Sequence, residues 1–278
     1  VEAVSRGAFA NDHRVNAAAS RVMPAAFFGH GSPVNTIEDN RYTRAWRDYG
    51  ASLPRPRAIL VISAHWYVAG TRVTAARRPR TIHDFNSNFP PQLFAFAYAA
   101  DGDLALVERV VELAAPVRVE RDATSWGIDH GAFSVLAHAF AAADIPVVEL
   151  SVDRSKPPAF HYDLARRLGP LRDEGVFVAS SGNVVHNLEV ADFRSEQPFA
   201  WAQRFDDLVR DRLAAGDHEA LVAYAQLGSD ARLAVPTPDH YLPLLYTLGL
   251  QRGGERVTTI VDGVGFGALS MLSVSIAP

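Results

Sequence analysis

RAILVISAHW, residues 57–66, follows Arg57 with an unbroken apolar run from Ala58 to Ile62 and then turns polar at Ser63. An Ile- and Val-rich run without alternation suits a strand buried on both faces, as in the centre of a largely parallel sheet. VFVASSG (176–182) has the same character, and AAFFGH (25–30), PVVELSVD (146–153), VTTIVDG (257–263) and LSMLSVSIA (269–277) read as further strands. Between them lie segments with apolar residues at helical spacing: RYTRAWRDYGASL (41–53), DLALVERVVELAA (103–115), GAFSVLAHAFAAA (131–143) and PAFHYDLARRLGPLRDEG (158–175). AWAQRFDDLVRDRLAAG (200–216), EALVAYAQLG (219–228) and YLPLLYTLGL (241–250) continue the series. Strands alternating with helices predict an α/β fold, a single domain with a central mixed, largely parallel sheet flanked by helices.

The domain is expected over residues 23–278, with 1–22 as a flexible N-terminal extension lacking clean periodicity. With 27 Lys plus Arg against 31 Asp plus Glu, the formal charge of -4 offers no broad basic face for a phosphate backbone, so nucleic acid is not an expected partner. The absence of cysteine removes disulfides, thiolate nucleophiles, Cys-type zinc sites and iron–sulfur clusters. Any metal must then take N and O ligands. No stretch approaches about 18 consecutive apolar residues, and Glu2, Arg6, Asp12 and Arg14 interrupt any apolar leader, so a cytoplasmic protein with no membrane partner is expected. Nothing in the pattern specifies an oligomer.

Four of the ten histidines stand where an α/β sheet places its ligands, beyond the carboxyl ends of strands or at a loop-to-helix corner. They are His30 in FFGHGSP, His65 in ILVISAHW, His186 in SSGNVVHN and His240 in PTPDHYLP. Small neighbours, Gly29 and Gly31 around His30 and Ala64 before His65, leave room for a bound group. Imidazole is a common ligand of iron and zinc, so the four together predict a metal centre. His186 follows a polar bend and reads as either a ligand or a proton-transfer group. Asp239 either caps the helix that follows or orients the His240 ring.

His130, in SWGIDHGAF, is placed either in the first turn of a helix capped by Asp129 or against substrate. His83, in the Pro- and Asn-rich TIHDFNSNFP, belongs to a substrate lid or a plain surface loop. Trp66 and Tyr241 are candidate pocket walls, with core packing as the alternative. His13, His138, His161 and His218 read as structural or solvent-facing. DGVGFGA (262–268) resembles a phosphate loop, but a strand rather than a helix follows, which favours a β-turn. Neither H-E-x-x-H nor G-x-S-x-G occurs.

MPAAFFGHGSPVNTIEDNRYTRAWRDYG (23–50), PRAILVISAHW (56–66), TIHDF (81–85), WGIDHGAF (126–133), SGNVVHNL (181–188) and TPDHYLPLLY (237–246) closely resemble the 4,5-DOPA extradiol dioxygenase family. The likeness extends over residues 23–276 and places the chain in the class III extradiol superfamily, with the catalytic subunit of protocatechuate 4,5-dioxygenase. The resemblance implies a non-haem Fe(II) enzyme that opens a catechol with dioxygen. His30, His65 and His240 resemble the metal ligands. His186 resembles the acid–base histidine, near enough to be a fourth ligand when zinc takes the site, and His130 resembles the histidine facing substrate or oxygen. His240 stands where better-known superfamily members carry a carboxylate. A zinc hydrolase, or a non-catalytic interaction protein of the Memo type, are the rival readings.

Overall fold

In the computed structural model, which describes residues 22–195 and 197–278, eight strands form one mixed sheet. The expected N-terminal extension lies outside the described residues, apart from Val22. The strand order is Val119–Asp122, Thr71–Thr74, Val147–Asp153, Ala58–Val68, Val176–Gly182, Ala25–Gly29, Ser273–Ala277 and Arg256–Val261. The middle four are parallel to one another, with Ala58–Val68 between Val147–Asp153 and Val176–Gly182. Antiparallel pairing begins on either side of this block.

The apolar runs divide by alternation between two cores, because successive strand residues face opposite sides. Phe27, Leu60, Ile62, Leu150 and Val178 pack under the helices Leu104–Ala114, Pro158–Leu168, Ala200–Ala215 and Leu242–Gly249. Phe28, Ile59, Val61, Val147 and Phe177 pack under Arg41–Ser52 and His130–Ala139, including the fully buried Trp46 and Phe133. Each fully buried side chain of this size contributes ~1.5–3 kcal/mol of burial free energy, so both faces hold the sheet. Among the described residues, no helix is long and apolar enough to cross a membrane.

Several elements depart from their expected extents. The segment 158–175 breaks into Pro158–Leu168 and Pro170–Asp173, because Pro170 has no N–H to continue the helix. LSMLSVSIA splits into Leu269–Ser270, which pairs with Val264–Gly265, and Ser273–Ala277, which joins the main sheet. The first pair encloses the expected turn in DGVGFGA, with Phe266 and Gly267 both at positive φ. EALVAYAQLG forms a short helix, His218–Val222, and then a single 3-10 turn at Tyr224–Gln226. His65 does not end its strand. The strand runs on to Val68, and its pairing with Val147–Asp153 shifts register between Ile62 and Tyr67. Such an irregularity re-aims side chains, and here it spans His65 and Trp66.

Candidate metal centre

The rim formed by the ends of the parallel strands gathers five of the predicted histidines. His30 follows Ala25–Gly29 directly, and its backbone N–H donates to the Gly182 carbonyl at 3.1 Å. His186 comes four residues after Val176–Gly182, and its backbone N–H donates to the Ala234 carbonyl. His240 sits just before Leu242–Gly249, and its carbonyl accepts from the Asn183 N–H at 2.8 Å. A Cβ on Gly182 would stand 2.1 Å from that carbonyl, so glycine is needed where the two loops touch. His130 is the first residue of its helix and Asp129 is the N-cap, accepting from the Ala132 N–H at 3.1 Å. Capping and a place in the site therefore hold together there.

Ring centroids of His30 lie 5.0 Å from His65, 5.3 Å from His240 and 5.8 Å from His130. His65 is 3.7 Å from His130 and 5.0 Å from His240, and His186 stacks on His240 at 3.5 Å and 4°. Donor atoms of His30, His65 and His130 all fall within 4.8 Å of one another, as do those of His186, Asp239 and His240. His30, His130 and His240 are buried, whereas His65 and His186 are half-buried.

Hydrogen bonds fix which nitrogen of each ring faces inward. Ser181 Oγ donates to the Gly131 carbonyl at 2.5 Å, so it accepts from His30 Nδ1 at 2.9 Å. Asp84 accepts from His65 Nδ1 at 3.0 Å on one oxygen and from His130 Nδ1 at 2.8 Å on the other. Asp239 accepts from His240 Nδ1, which decides its role: the helix N-cap is Tyr241, and no side chain caps it. With their Nδ1 atoms donating, these neutral rings present Nε2 lone pairs to the centre.

Two of those lone pairs face each other, His30 Nε2 and His65 Nε2, at 3.1 Å. His240 Nε2 is buried without a hydrogen-bond partner among the described residues. Facing lone pairs and an orphaned buried acceptor are costly unless a cation satisfies them, and nitrogens binding one ion at ~2.1 Å take a spacing of this order. The donor set therefore fits a divalent metal with neutral imidazole ligands and anchored outer partners.

Electrostatics at four of the five rings agree with that fit. Burial pulls His30 and His240 below the ordinary imidazole value, and neighbouring histidines add to the effect. Burial, with repulsion from His65, pulls His130 down to about 4, and burial with the nearby His240 pulls His186 down to about 2. His65 differs: burial lowers it, but Asp84 and Asp129 together outweigh burial and raise it. Burial pushes Asp84 up, yet the hydrogen bonds from His130 and His65 hold its carboxyl well below the usual range. Apart from His65, the rings are held neutral beside an ionised Asp84, the protonation states that metal binding requires, and binding at His65 displaces its proton.

The other predicted residues lie outside the cluster. His83 Nε2 donates to the Phe96 carbonyl at 2.9 Å, and its ring meets Phe85, Phe94 and Phe133. Phe85 in turn stands 5.5 Å from His130, so this loop walls the cluster with aromatic surface. Trp66 is buried and stacks on Trp126 at 5.8 Å. Tyr241 is fully buried, donates to the Leu221 carbonyl and packs on Tyr224, so it belongs to the core rather than to a pocket wall. His138, His161 and His218 bond to Asn35, Tyr246 and Tyr162 respectively, away from the centre. A cavity of about 570 Å³ adjoins the His30 loop, lined by Ser32, Asn35, Arg41, Phe266, Leu269 and Met271 among others, and no histidine lines it.

Residues 24–272 match the family described as the catalytic LigB subunit of aromatic ring-opening dioxygenase. The chain belongs to this family. It is thus an aromatic ring-opening dioxygenase. It is 49% identical over 258 residues to the Escherichia coli (strain K12) protein named 4,5-DOPA dioxygenase extradiol, covering 91% of this chain and 94% of that one. The Beta vulgaris protein of the same name is 35% identical over 250 residues, covering 88% and 92% of the two chains. The crystal structure of an uncharacterized protein from Escherichia coli K12 superposes with a TM-score of 0.81 at 44% identity, covering 92% of this chain and all of that one.

Asp84, which holds the His65 and His130 rings, is a residue of the cluster that the sequence pattern does not single out. The only available signal for Asp84 was its place beside His83 in TIHDF, and a carboxylate in a polar loop has no periodicity to mark it.

Proposed function

We propose that the protein is a non-haem Fe(II) extradiol dioxygenase that opens the ring of a DOPA-like catechol with dioxygen, with the metal held by His30, His65 and His240. The observation that carries this reading is the 3.1 Å approach of His30 Nε2 and His65 Nε2 beside the orphaned His240 Nε2. Support for the substrate class comes from the names of the Escherichia coli and Beta vulgaris relatives. Zinc suits the same donors, and His186, stacked on His240 at 3.5 Å, would be the candidate for a fourth ligand.

Ferrous iron, when bound, supplies a positive centre that favours an ionised catechol and the redox link to dioxygen. The chain supplies the rest. No described residue hydrogen-bonds to either ring nitrogen of His186, so one of them is free to take a catechol hydroxyl proton and return it later. Burial and the nearby His240 keep that ring neutral. Asp84 locks His65 and His130 in one orientation, and Asp239 locks His240. His130 faces the substrate ring, with Phe85, Phe94 and the His83 loop excluding water on that side. The hydrolase alternative needs a free carboxylate base, but both Asp84 oxygens are committed to imidazoles and Asp239 is bonded to His240.

Protein loaded anaerobically with Fe(II) and then given L-DOPA and oxygen is expected to form a yellow ring-opened product. One dioxygen should be consumed per catechol, with both labelled atoms recovered in product. Absence of oxygen uptake across a panel of catechols, or ester or amide cleavage switched on by zinc alone, would reject the reading.

A further inference from the structure

Two buried carboxyl groups lie beneath the histidine cluster. Glu149, on the central strand Val147–Asp153, and Asp129, the cap of the His130 helix, are both fully buried. Glu149 Oε1 accepts from the Trp126 indole at 2.9 Å, and Oε2 accepts from the Asp129 backbone N–H at 3.3 Å. Asp129 Oδ1 accepts from the Ser63 hydroxyl at 2.7 Å and the Ala132 N–H at 3.1 Å. Among the described residues Asp129 Oδ2 is buried with no N–H or hydroxyl donor, and the Glu149 carboxyl lies in contact with the Asp129 side chain. Among the described residues, no guanidinium or ammonium hydrogen-bonds to either group.

Two touching carboxyls without a cation cannot both be ionised in a buried site, so one proton is shared between them. Asp129 sits at a helix N-terminus and takes a short hydroxyl bond and an amide bond on one oxygen. Glu149 has an indole and one long amide contact. We propose that Glu149 is a neutral carboxylic acid at physiological pH, that it donates its proton to Asp129 Oδ2, and that it acts as a positioning residue for the ring-opening site. Burial first, and Asp129 second, push the Glu149 carboxyl well above the ordinary range, in agreement.

The chain of contact to the site is short. Asp129 precedes His130 and holds Ser63, which is two residues before His65 and whose hydroxyl also accepts from the His65 N–H. A Cβ on Gly131 would meet Ser63 Oγ at 2.6 Å and the His65 ring at 2.8 Å, so these layers are in contact. The Glu149 proton therefore keeps Asp129 from being repelled out of the position in which it holds Ser63 behind His65 and caps the helix that starts at His130. Only the activity arm of the test rests on the proposed dioxygenase reaction.

The direct test is infrared spectroscopy of metal-free protein at mildly alkaline pH, where Asp206, pushed up to about 6 by burial, is already ionised. The wild type is expected to show the carbonyl band of a protonated carboxylic acid, and Glu149→Gln to lack it. Glu149→Gln should keep turnover, because its amide can still donate to Asp129, while Glu149→Ala should lose ~10–100-fold, as outer-shell substitutions do. Absence of the band in wild type, its survival in Glu149→Gln, or equal activity losses in the two variants would overturn the proposal. If the wild type turned over no catechol, the infrared result would still decide the protonation of Glu149.

Discussion

His65→Ala protein is expected to lose its metal, and more than ~100-fold of its turnover with it, since even outer-shell changes cost 10–100-fold. His186→Ala is expected to keep the metal and lose turnover alone, by ~10²–10⁴-fold, the usual contribution of a positioned acid–base group. The contrast follows from how each ring is held. His65 is fixed by Asp84 with its Nε2 opposite His30 Nε2, so its loss opens the centre. His186 stacks on His240 without a hydrogen bond to its ring from any described residue, so it serves as a base more than as an anchor. Metal content after dialysis, measured beside oxygen uptake, separates the two roles. Equal metal loss in His30→Ala, His65→Ala and His186→Ala would remove the distinction.

Arg172→Met is expected to destabilise the fold by ~3–5 kcal/mol without touching the site, because removing one partner leaves a buried charge uncompensated. Arg172 is fully buried and donates to both Glu255 oxygens at 2.8 and 2.6 Å and to the carbonyls of Met23 and Leu250, each at 2.7 Å. It thereby ties the entry to the first strand to the segment leading into Arg256–Val261. At roughly 2–4 °C per kcal/mol for a chain of this size class, the melting temperature should fall by about 10 °C. Glu255→Gln added to Arg172→Met should recover part of the loss, since the orphaned charge is then gone. Urea unfolding reads both variants, and a loss under about 1 kcal/mol for Arg172→Met would show that the pair is not holding the fold.

What could be read in advance divides along physical lines. Central strands such as Ala58–Val68 and Val176–Gly182 are legible because burial on both faces leaves an unbroken apolar run. Thr71–Thr74 and Val119–Asp122 carry Arg, Glu and Asp within short strands at one side of the sheet, so nothing in their pattern exceeds that of a loop. The histidines stand out because each is polar beside an apolar run, near the end of a strand or at a loop-to-helix corner. Their partners do not. Asp84 reaches His65 and His130 across 19 and 46 positions, and Glu149 reads as an interruption of PVVELSVD until Asp129 is seen beside it. Adjacency to His65 and His240 leaves pocket wall and core packing both open for Trp66 and Tyr241, and in the structure Trp66 stacks on Trp126 and Tyr241 packs on Tyr224, both buried.

The central claim is that imidazoles distant in sequence hold one divalent ion, and X-ray absorption at the iron edge of anaerobically loaded protein tests it most directly. One iron per chain in a shell containing several imidazoles, and loss of that shell in His65→Ala, is the predicted result. Failure to bind iron stoichiometrically, or a shell without imidazole, would contradict it.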